Sequence, residues 1–391
     1  LAEMNARGVA NDIPVLLGGA ALTRAYVEDD LAEMFEGHVT YARDAFEGLR
    51  SMDAIMKAKR SGATLGVVSE AEQAKIDERR ARHERSKRIA EARKASEPKI
   101  VIPERSPDVT LDVDVPTPPF WGTRVVKGIP VAEYAGMLDH RATFLGQWGL
   151  KGSRQGDGPS YEQLVQTEGL PRLRYWLDRL STDGILAHAA LVYGYFPAVS
   201  EGDSVIILES PEPDAPERLR FTFPRQRRDH FLCLADYIRT RAQAKEAGRA
   251  DVVPFQLVTM GTPIADFANE LFANNNYRDY LEVHGLGVQL TEALAEYWHR
   301  RIREELVLDD GKSVSAEDPE DIKEYFKVSY RGARYALGYG SCPDLEDRSK
   351  IITLLEPARI GVELSEELQL HPEQSTDAFV LHHPEAKYFN A

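Results

Sequence analysis

The chain has 391 residues, 43% of them hydrophobic, and a formal net charge of −15. That length allows one large domain with extras or two to three ordinary ones. The acidic balance argues against nucleic acid, whose phosphates need a basic face, and suits docking on a basic partner surface.

No apolar run reaches the roughly 18 residues of a membrane helix. The opening LAEMNARGVAND has neither the basic nor the apolar part of a signal peptide. The cysteines, Cys233 and Cys342, are far apart, which excludes a thiolate zinc site and a disulfide framework and points to a reducing cytoplasm. Residues 13–17, IPVLL, read as a short strand ending in Gly18-Gly19-Ala20. An amphipathic helix from about Leu22 to Phe35 and a second strand, Val39–Ala42, complete one parallel βαβ unit. A glycine turn before a helix lets a ligand reach backbone amides. It can equally be no more than a tight turn, since GGA is not GxGxxG and the unit has about half the length of a doubly wound domain. We therefore expect a partial Rossmann-like α/β remnant, on a chain that is a fragment of a longer protein.

From about Val68 to Glu97 the sequence favours helix without an apolar stripe, and pairs such as Glu78–Arg82 and Glu84–Arg88 mark a solvated connecting helix. Pro98 ends it, and five prolines between Pro103 and Pro119 predict an extended linker. The expected divisions are 1–60, 61–119 and 120–391. Beyond the linker, helices are predicted at 131–141 and 161–180, and strands at 185–196, 203–209 and near 219–223. Helices near 230–247, a strand at 252–259, and helices at 263–282 and 289–306 follow. Strands grouped as hairpins beside long helices make an α+β domain with an antiparallel sheet.

The chemistry concentrates in RGARYALGYGSCPD, Arg331–Asp344. The Arg334 guanidinium can hold a carboxylate by two parallel bonds. Gly338 permits close backbone approach, Tyr339 adds a flat ring with a polar tip, and Pro343 predicts a loop. Alone, R-x-x-x-G-Y also fits an ordinary turn with a surface arginine. The histidines His140, His188, His230, His284, His371, His382 and His383 form no ligand spacing, and His382-His383 before Pro384 reads as a solvated pair. No G-x-S-x-G, Walker loop or H-E-x-x-H is present.

This segment resembles the S-adenosylmethionine-binding loop of the activation domain of cobalamin-dependent methionine synthases, an R-x-x-x-G-Y run inside an RG-x-R…GY-x-x-CP context. LVYGYFPA, FLCLADYI, LTEALAEYWHRRIR and HHPEAKYF are similar to the family in the same order. IPVLLGGAALTRAYVE and VTYARDAFEGL resemble the C-terminal third of its cobalamin domain. The resemblance implies a C-shaped activation domain with a twisted antiparallel sheet and flanking helices, behind a cobalamin-domain remnant.

The same resemblance implies a site. Arg334 would take the carboxylate of S-adenosylmethionine, and Ala336, Gly338 and Tyr339 would stand at close range. Asp139 and Glu292 would accept from its cationic groups, and Tyr388 and Phe389 would border it. Without the resemblance, Asp139 reads as a helix-end charge and Glu292 as a first-turn acid favoured by the helix dipole. Gly18, Gly19 and Ala45 would face the nucleotide tail of cobalamin. That site is incomplete, because the family's D-x-H-x-x-G segment with the cobalt-ligating histidine is absent. Six positions before Arg334, where the family carries an acid, stands Val328.

The implied function is reactivation, the reductive methylation of cob(II)alamin from S-adenosylmethionine. The electron would come from a reducing flavoprotein, flavodoxin-like or a reductase, within an enzyme that methylates homocysteine. The implied partners are that flavoprotein and the other modules of the same enzyme, with zinc only in the N-terminal part of the full enzyme. The rival readings are a non-catalytic docking module and a free-standing methyltransferase with Asp44 as a ribose hook.

Overall fold

Short runs of β-branched and aromatic residues form most of the strands where the sequence predicts them. The computed structural model describes residues 1–18, 22–62, 77, 81, 85, 88, 101–153 and 158–391. They fall into two compact units, Leu1–Ile100 with Phe144–Leu164, and Val101–Thr143 with Val165–Ala391.

In the first unit, Val15–Gly18 and Val39–Ala42 pair in parallel, as expected. Gly18 is required by that pairing, since a Cβ there would lie 2.7 Å from the Ala42 carbonyl oxygen. Between the strands the chain forms a π-helical turn, Tyr26–Leu31, running into Ala32–Met34. Ala10, Val27, Phe35 and Val39 make a small core. A helix the sequence reading did not place, Ala45–Ser61, follows. Asp44 caps it by accepting from the Glu47 N–H at 2.8 Å, Glu47 accepts from the Arg43 N–H at 2.9 Å, and Gly62 ends it at φ 68°. The D-x-x-E spelling of Asp44–Glu47 was the available signal. Asp44 is thus a helix cap that also meets Lys151. Gly19 and the charged helix predicted at 68–97 lie outside the described residues, apart from the helical positions 77, 81, 85 and 88.

The second unit is built on a seven-stranded sheet whose pairs are all antiparallel. Its order is Glu217–Thr222, Ser204–Leu208, Ala190–Glu201, Asp251–Thr259, Ser375–Leu381 and Ala333–Tyr335. Gly122–Lys127 shares one edge of Ala190–Glu201 with Ser204–Leu208. Every residue of Asp251–Thr259 is buried, so the sheet is covered on both faces. One face carries Val192, Phe196, Phe255, Leu257, Tyr335 and Phe379 against Leu232–Ile238 and Ile351, Leu354 and Leu355. The alternate residues meet the helix Tyr277–Glu305: Gln256 Nε2 donates to the Ala295 carbonyl at 2.8 Å, and the Tyr195 hydroxyl to Glu305 at 2.9 Å.

Several boundaries differ from expectation. The two helices are Thr262–Ala273 and Tyr277–Glu305, so the break falls at Asn274-Asn275-Asn276 and not at 283–288. Asn275 turns the chain at φ 61°, a conformation asparagine tolerates better than most residues. Gly287 lies within the second helix, where Gln374 and Ile264 crowd the place a Cβ would take. Residues 331–344 are not all loop: Ala333–Tyr335 is a strand paired with Phe379–Leu381. Residues 101–119 form no helix, but the segment has turns and bends between 104 and 111 and lies on this unit, with Val109 and Val115 buried and the Arg105 Nη1 donating to Ser200 Oγ at 3.1 Å.

Candidate functional site

Strand alternation places the key arginine. Ala333 and Tyr335 point into the core, 2% and 0% exposed, so Arg334 between them faces the long helix. Gly332 before it is obligatory: it sits at φ 89°, and a Cβ would lie 2.4 Å from the Leu381 carbonyl oxygen. Arg331 braces the segment by donating from Nε to the His382 carbonyl at 2.9 Å.

On the helix, Gln289, Glu292, Ala293 and Glu296 recur at three- and four-residue spacing and share a face. Arg334 Nη2 donates to Glu292 Oε2 at 2.9 Å and its Nε to Glu296 Oε2 at 3.3 Å. Burial works against the guanidinium charge, but Glu292 and Glu296 outweigh it and hold the arginine ionised. Glu292 is mid-helix, which corrects the first-turn reading and follows from the earlier start of the helix. Its carboxylate is nearly half exposed, whereas that of Glu296 is mostly buried.

Glu296 Oε1 accepts from the Tyr330 hydroxyl at 3.1 Å and meets His299 Nδ1 at 3.2 Å. Burial alone would raise its carboxyl; His299, Arg334 and Tyr330 together hold it well below the usual range. His299 is fully buried, and burial pushes its imidazole down to about 4 despite Glu296. The imidazole is therefore neutral at pH 7 and gives Glu296 its Nδ1 proton. Behind them the Tyr330 ring lies 4.4 Å from the Arg303 guanidinium, and Arg303 is bonded to Asp318 at 2.6 Å and to the Tyr325 hydroxyl at 2.8 Å.

Asp139, Glu292, Glu296, Tyr330 and Arg334 stand in the wall of a cleft of about 290 Å³. Three of the expected residues, Arg334, Glu292 and Asp139, thus meet in one place. Asp139 also accepts from the Arg141 and Ala142 N–H groups at 2.8 and 2.9 Å, the helix-end role its position suggests. Three carboxylates against one guanidinium leave the cleft net negative, with a planar donor fork on one wall. A larger cavity of about 850 Å³ lies at the other end of strand Ser375–Leu381, and its one lining arginine, Arg348, is paired with Asp377, which does not line it. We therefore place the candidate site at the smaller cleft, where the chemistry converges.

The remaining expected residues surround the arginine differently. Tyr388 is 58% exposed, stacks on Tyr335 at 5.4 Å, and lies near enough for the Arg334 charge to act on its hydroxyl. Phe389 packs on the core cluster, and Tyr339 is exposed. The Ala336 carbonyl accepts from Cys342 Sγ at 3.0 Å, and the Gly338 N–H donates to the Cys342 carbonyl at 2.9 Å, so both groups are engaged within the turn. Gly18 and Ala45 belong to the other unit.

Sequence reasoning missed Glu296, although its place one helical turn after Glu292 was a usable signal. It also misjudged His382 and His383, which are 1% and 4% exposed. His382 Nε2 meets Asp251 Oδ1 at 2.7 Å and His383 Nε2 meets the Thr110 carbonyl at 3.1 Å, because both lie just past a central strand and under the 101–119 segment. Among the described residues no cluster of His, Cys, Asp and Glu could hold a metal ion, and no helix is long and apolar enough to cross a membrane.

A family model described as vitamin B12 dependent methionine synthase, activation domain, matches residues 141–391. Over its whole length the chain is 71% identical to a methionine synthase of Mycobacterium tuberculosis and 68% identical to one of Mycobacterium leprae. In both cases it covers 33% of the relative, so it spans about a third of their length. A crystal structure of the MetH reactivation domain bound to AdoHcy matches with a TM-score of 0.60 at 25% identity, over 71% of this chain and 83% of that one.

Proposed function

The chain belongs to the family of vitamin B12-dependent methionine synthase activation domains, and from that premise we propose that its Arg334 cleft binds S-adenosylmethionine for reactivation of the enzyme's cobalamin. The observation that carries this reading is the charge layout of the cleft. S-adenosylmethionine has one carboxylate and two cationic centres, the ammonium and the sulfonium. Arg334 supplies the fork for the first, and Glu292 and Asp139 supply negative charge for the others, with a hydrogen-bond acceptor for the ammonium. A related reactivation domain, by its description, holds AdoHcy, which shares the amino-acid and adenosyl portions.

In this reading Tyr388 and Tyr339 offer exposed ring faces to the adenosyl part, with Phe389 supporting from the core. Ala336 and Gly338 shape the turn that brings the backbone close. The site's contribution is positioning, which turns a bimolecular methyl transfer into a pre-oriented one. The methyl acceptor is the cobalamin of the longer enzyme, whose reduced form supplies the nucleophile.

The fit of residues 1–60 to cobalamin is partial. Gly18 is accounted for by its strand pairing, and Ala45 is an exposed first residue of a helix. We assign this stretch, with Gly18, Gly19 and Ala45, to the tail of a cobalamin-binding domain, and route no step through it. We assign residues 120–391 to the activation domain and 61–119 to the connection, of which 101–119 lie on the second unit; by compactness 144–164 group with the first. A reducing flavoprotein and the other modules of the same enzyme complete the proposal as electron donor and partners.

Isothermal titration of S-adenosylmethionine into this chain tests it. Saturable one-to-one binding that Arg334→Ala removes is the expected result. Binding that survives Arg334→Ala within about twofold would move the site elsewhere.

A further inference from the structure

We propose that Glu296 is the positioning residue of this cleft: it fixes the Arg334 guanidinium so that the Nη1–Nη2 edge faces a ligand carboxylate, and it stays on the arginine when Glu292 lets go. The inference rests on the reading that the cleft takes S-adenosylmethionine.

Two carboxylates share one side of the guanidinium, Glu296 on Nε and Glu292 on Nη2. Nη1 has no protein hydrogen bond among the described residues, so a carboxylate that bonds through two parallel contacts must use Nη1 and Nη2. Nη2 has two N–H groups, so such a carboxylate takes the one on the Nη1 side, crowds Glu292 on the other N–H of the same nitrogen, and leaves Nε undisturbed. The two glutamates differ in how firmly they are held. Arg334 is the hydrogen-bonding partner of the Glu292 side chain among the described residues, and that side chain is 45% exposed. Glu296 is 16% exposed and is tied by Tyr330 and His299 as well as by Arg334.

The anchors are themselves fixed. Tyr330 lies between Tyr325, 4.6 Å away, and the Arg303 guanidinium, and Arg303 is locked to Asp318. The result is a row of alternating charge, Asp318, Arg303, Glu296, Arg334 and Glu292, that runs from full burial to the cleft. Its inner members cannot turn without stranding a buried charge. Its outer member can. An exchangeable acceptor beside a fixed one lets Glu292 move from the arginine to the ligand's ammonium within the same cleft, while the fork keeps its aim.

The test compares two probes on the 391-residue chain, S-adenosylmethionine and its decarboxylated analogue, which lacks only the carboxylate. The wild type is expected to prefer S-adenosylmethionine by about tenfold or more, the worth of a charged pair of bonds. Glu296→Gln removes the charge and leaves one acceptor oxygen where Arg334 Nε, Tyr330 and His299 had two. It should cut that preference to about twofold and change the affinity for the analogue by no more than about threefold. Tyr330→Phe removes one anchor without a charge change, should reduce the preference part of the way, and serves if Glu296→Gln does not fold. A general loss of structure would weaken both probes together. Preference unchanged in both variants, or equal loss for both probes, overturns the role of Glu296. A wild type that binds neither probe removes the cleft assignment itself.

Discussion

Glu292 Oε2 and Arg334 Nη2 stand 2.9 Å apart, one on the middle of a long helix and the other on a three-residue edge strand. Neither element alone makes a site. The contact depends on a sheet register that sets Arg334 opposite Val380 and turns its side chain away from the core.

Replacing Arg334 by Ala should weaken S-adenosylmethionine binding by roughly 2–5 kcal/mol, the cost of removing one partner of a desolvated charge pair. Lys should restore only part, since an ammonium cannot bond bidentately. Arg331→Ala should cost less affinity, because Arg331 holds the His382 carbonyl. Titration calorimetry of the three variants checks the order, and an Arg331→Ala loss equal to that of Arg334→Ala would contradict it.

Acid should destabilise the second unit from about pH 6.5 downward. His299 takes up a proton near 6.5 in the unfolded chain but only near 4 when folded. Between those values the unfolded state binds more protons, so stability falls as pH falls, by at most about 1.4 kcal/mol per pH unit for this one group. Glu296, its carboxyl held below the usual range in the folded state, adds to the loss below about pH 4.5. Urea midpoints at pH 7 and pH 5 measure it. His299→Asn should lose less between the two than wild type, and an equal loss would assign the effect elsewhere.

The Arg303–Asp318 pair is almost wholly buried, with side chains 0% and 4% exposed. Asp318→Ala strands the guanidinium and should cost roughly 3–5 kcal/mol. Arg303→Met combined with Asp318→Ala should cost clearly less than the sum of the two single changes. Denaturant unfolding of the four proteins closes the cycle, and simple additivity would mean the pair is not coupled.

Val328 follows the short helix Ile322–Tyr325 with φ at 59°, where a β-branched residue is strained. It is 55% exposed, so little packing is lost on replacement. Val328→Asn should stabilise the protein by about 1 kcal/mol. A Tm unchanged or lowered would mean that the backbone there is not left-handed in solution.

The sequence made the parallel pair, the hairpin strands and the Arg334 segment legible because each is a local signal: a short apolar run, a stretch of β-branched residues, a cluster of arginine and glycine. It did not reveal the strand Ser375–Leu381, whose neighbours lie more than a hundred residues upstream on one side and some forty on the other. Pairing at that separation leaves no mark in a window of ten residues. Glu296 went unread for a different reason. Its role comes from Tyr330 and His299, and its own spelling matches that of any solvated helix acid. Likewise His382 and His383 looked solvated before Pro384 because their cover arrives from residues 101–119.

The strand that carries Arg334 has one neighbour in the sheet, Ser375–Leu381, and that neighbour comes later in the chain. As the polypeptide leaves the ribosome, Ala333–Tyr335 therefore emerges with nothing to pair with. The central strands and the long helix can already have met, but the arginine reaches its glutamates only when the later strand has slotted in beside Asp251–Thr259. The candidate cleft is thus expected among the last parts of this unit to form, and a chain stopped before residue 375 would carry its charged residues without the strand that aligns them.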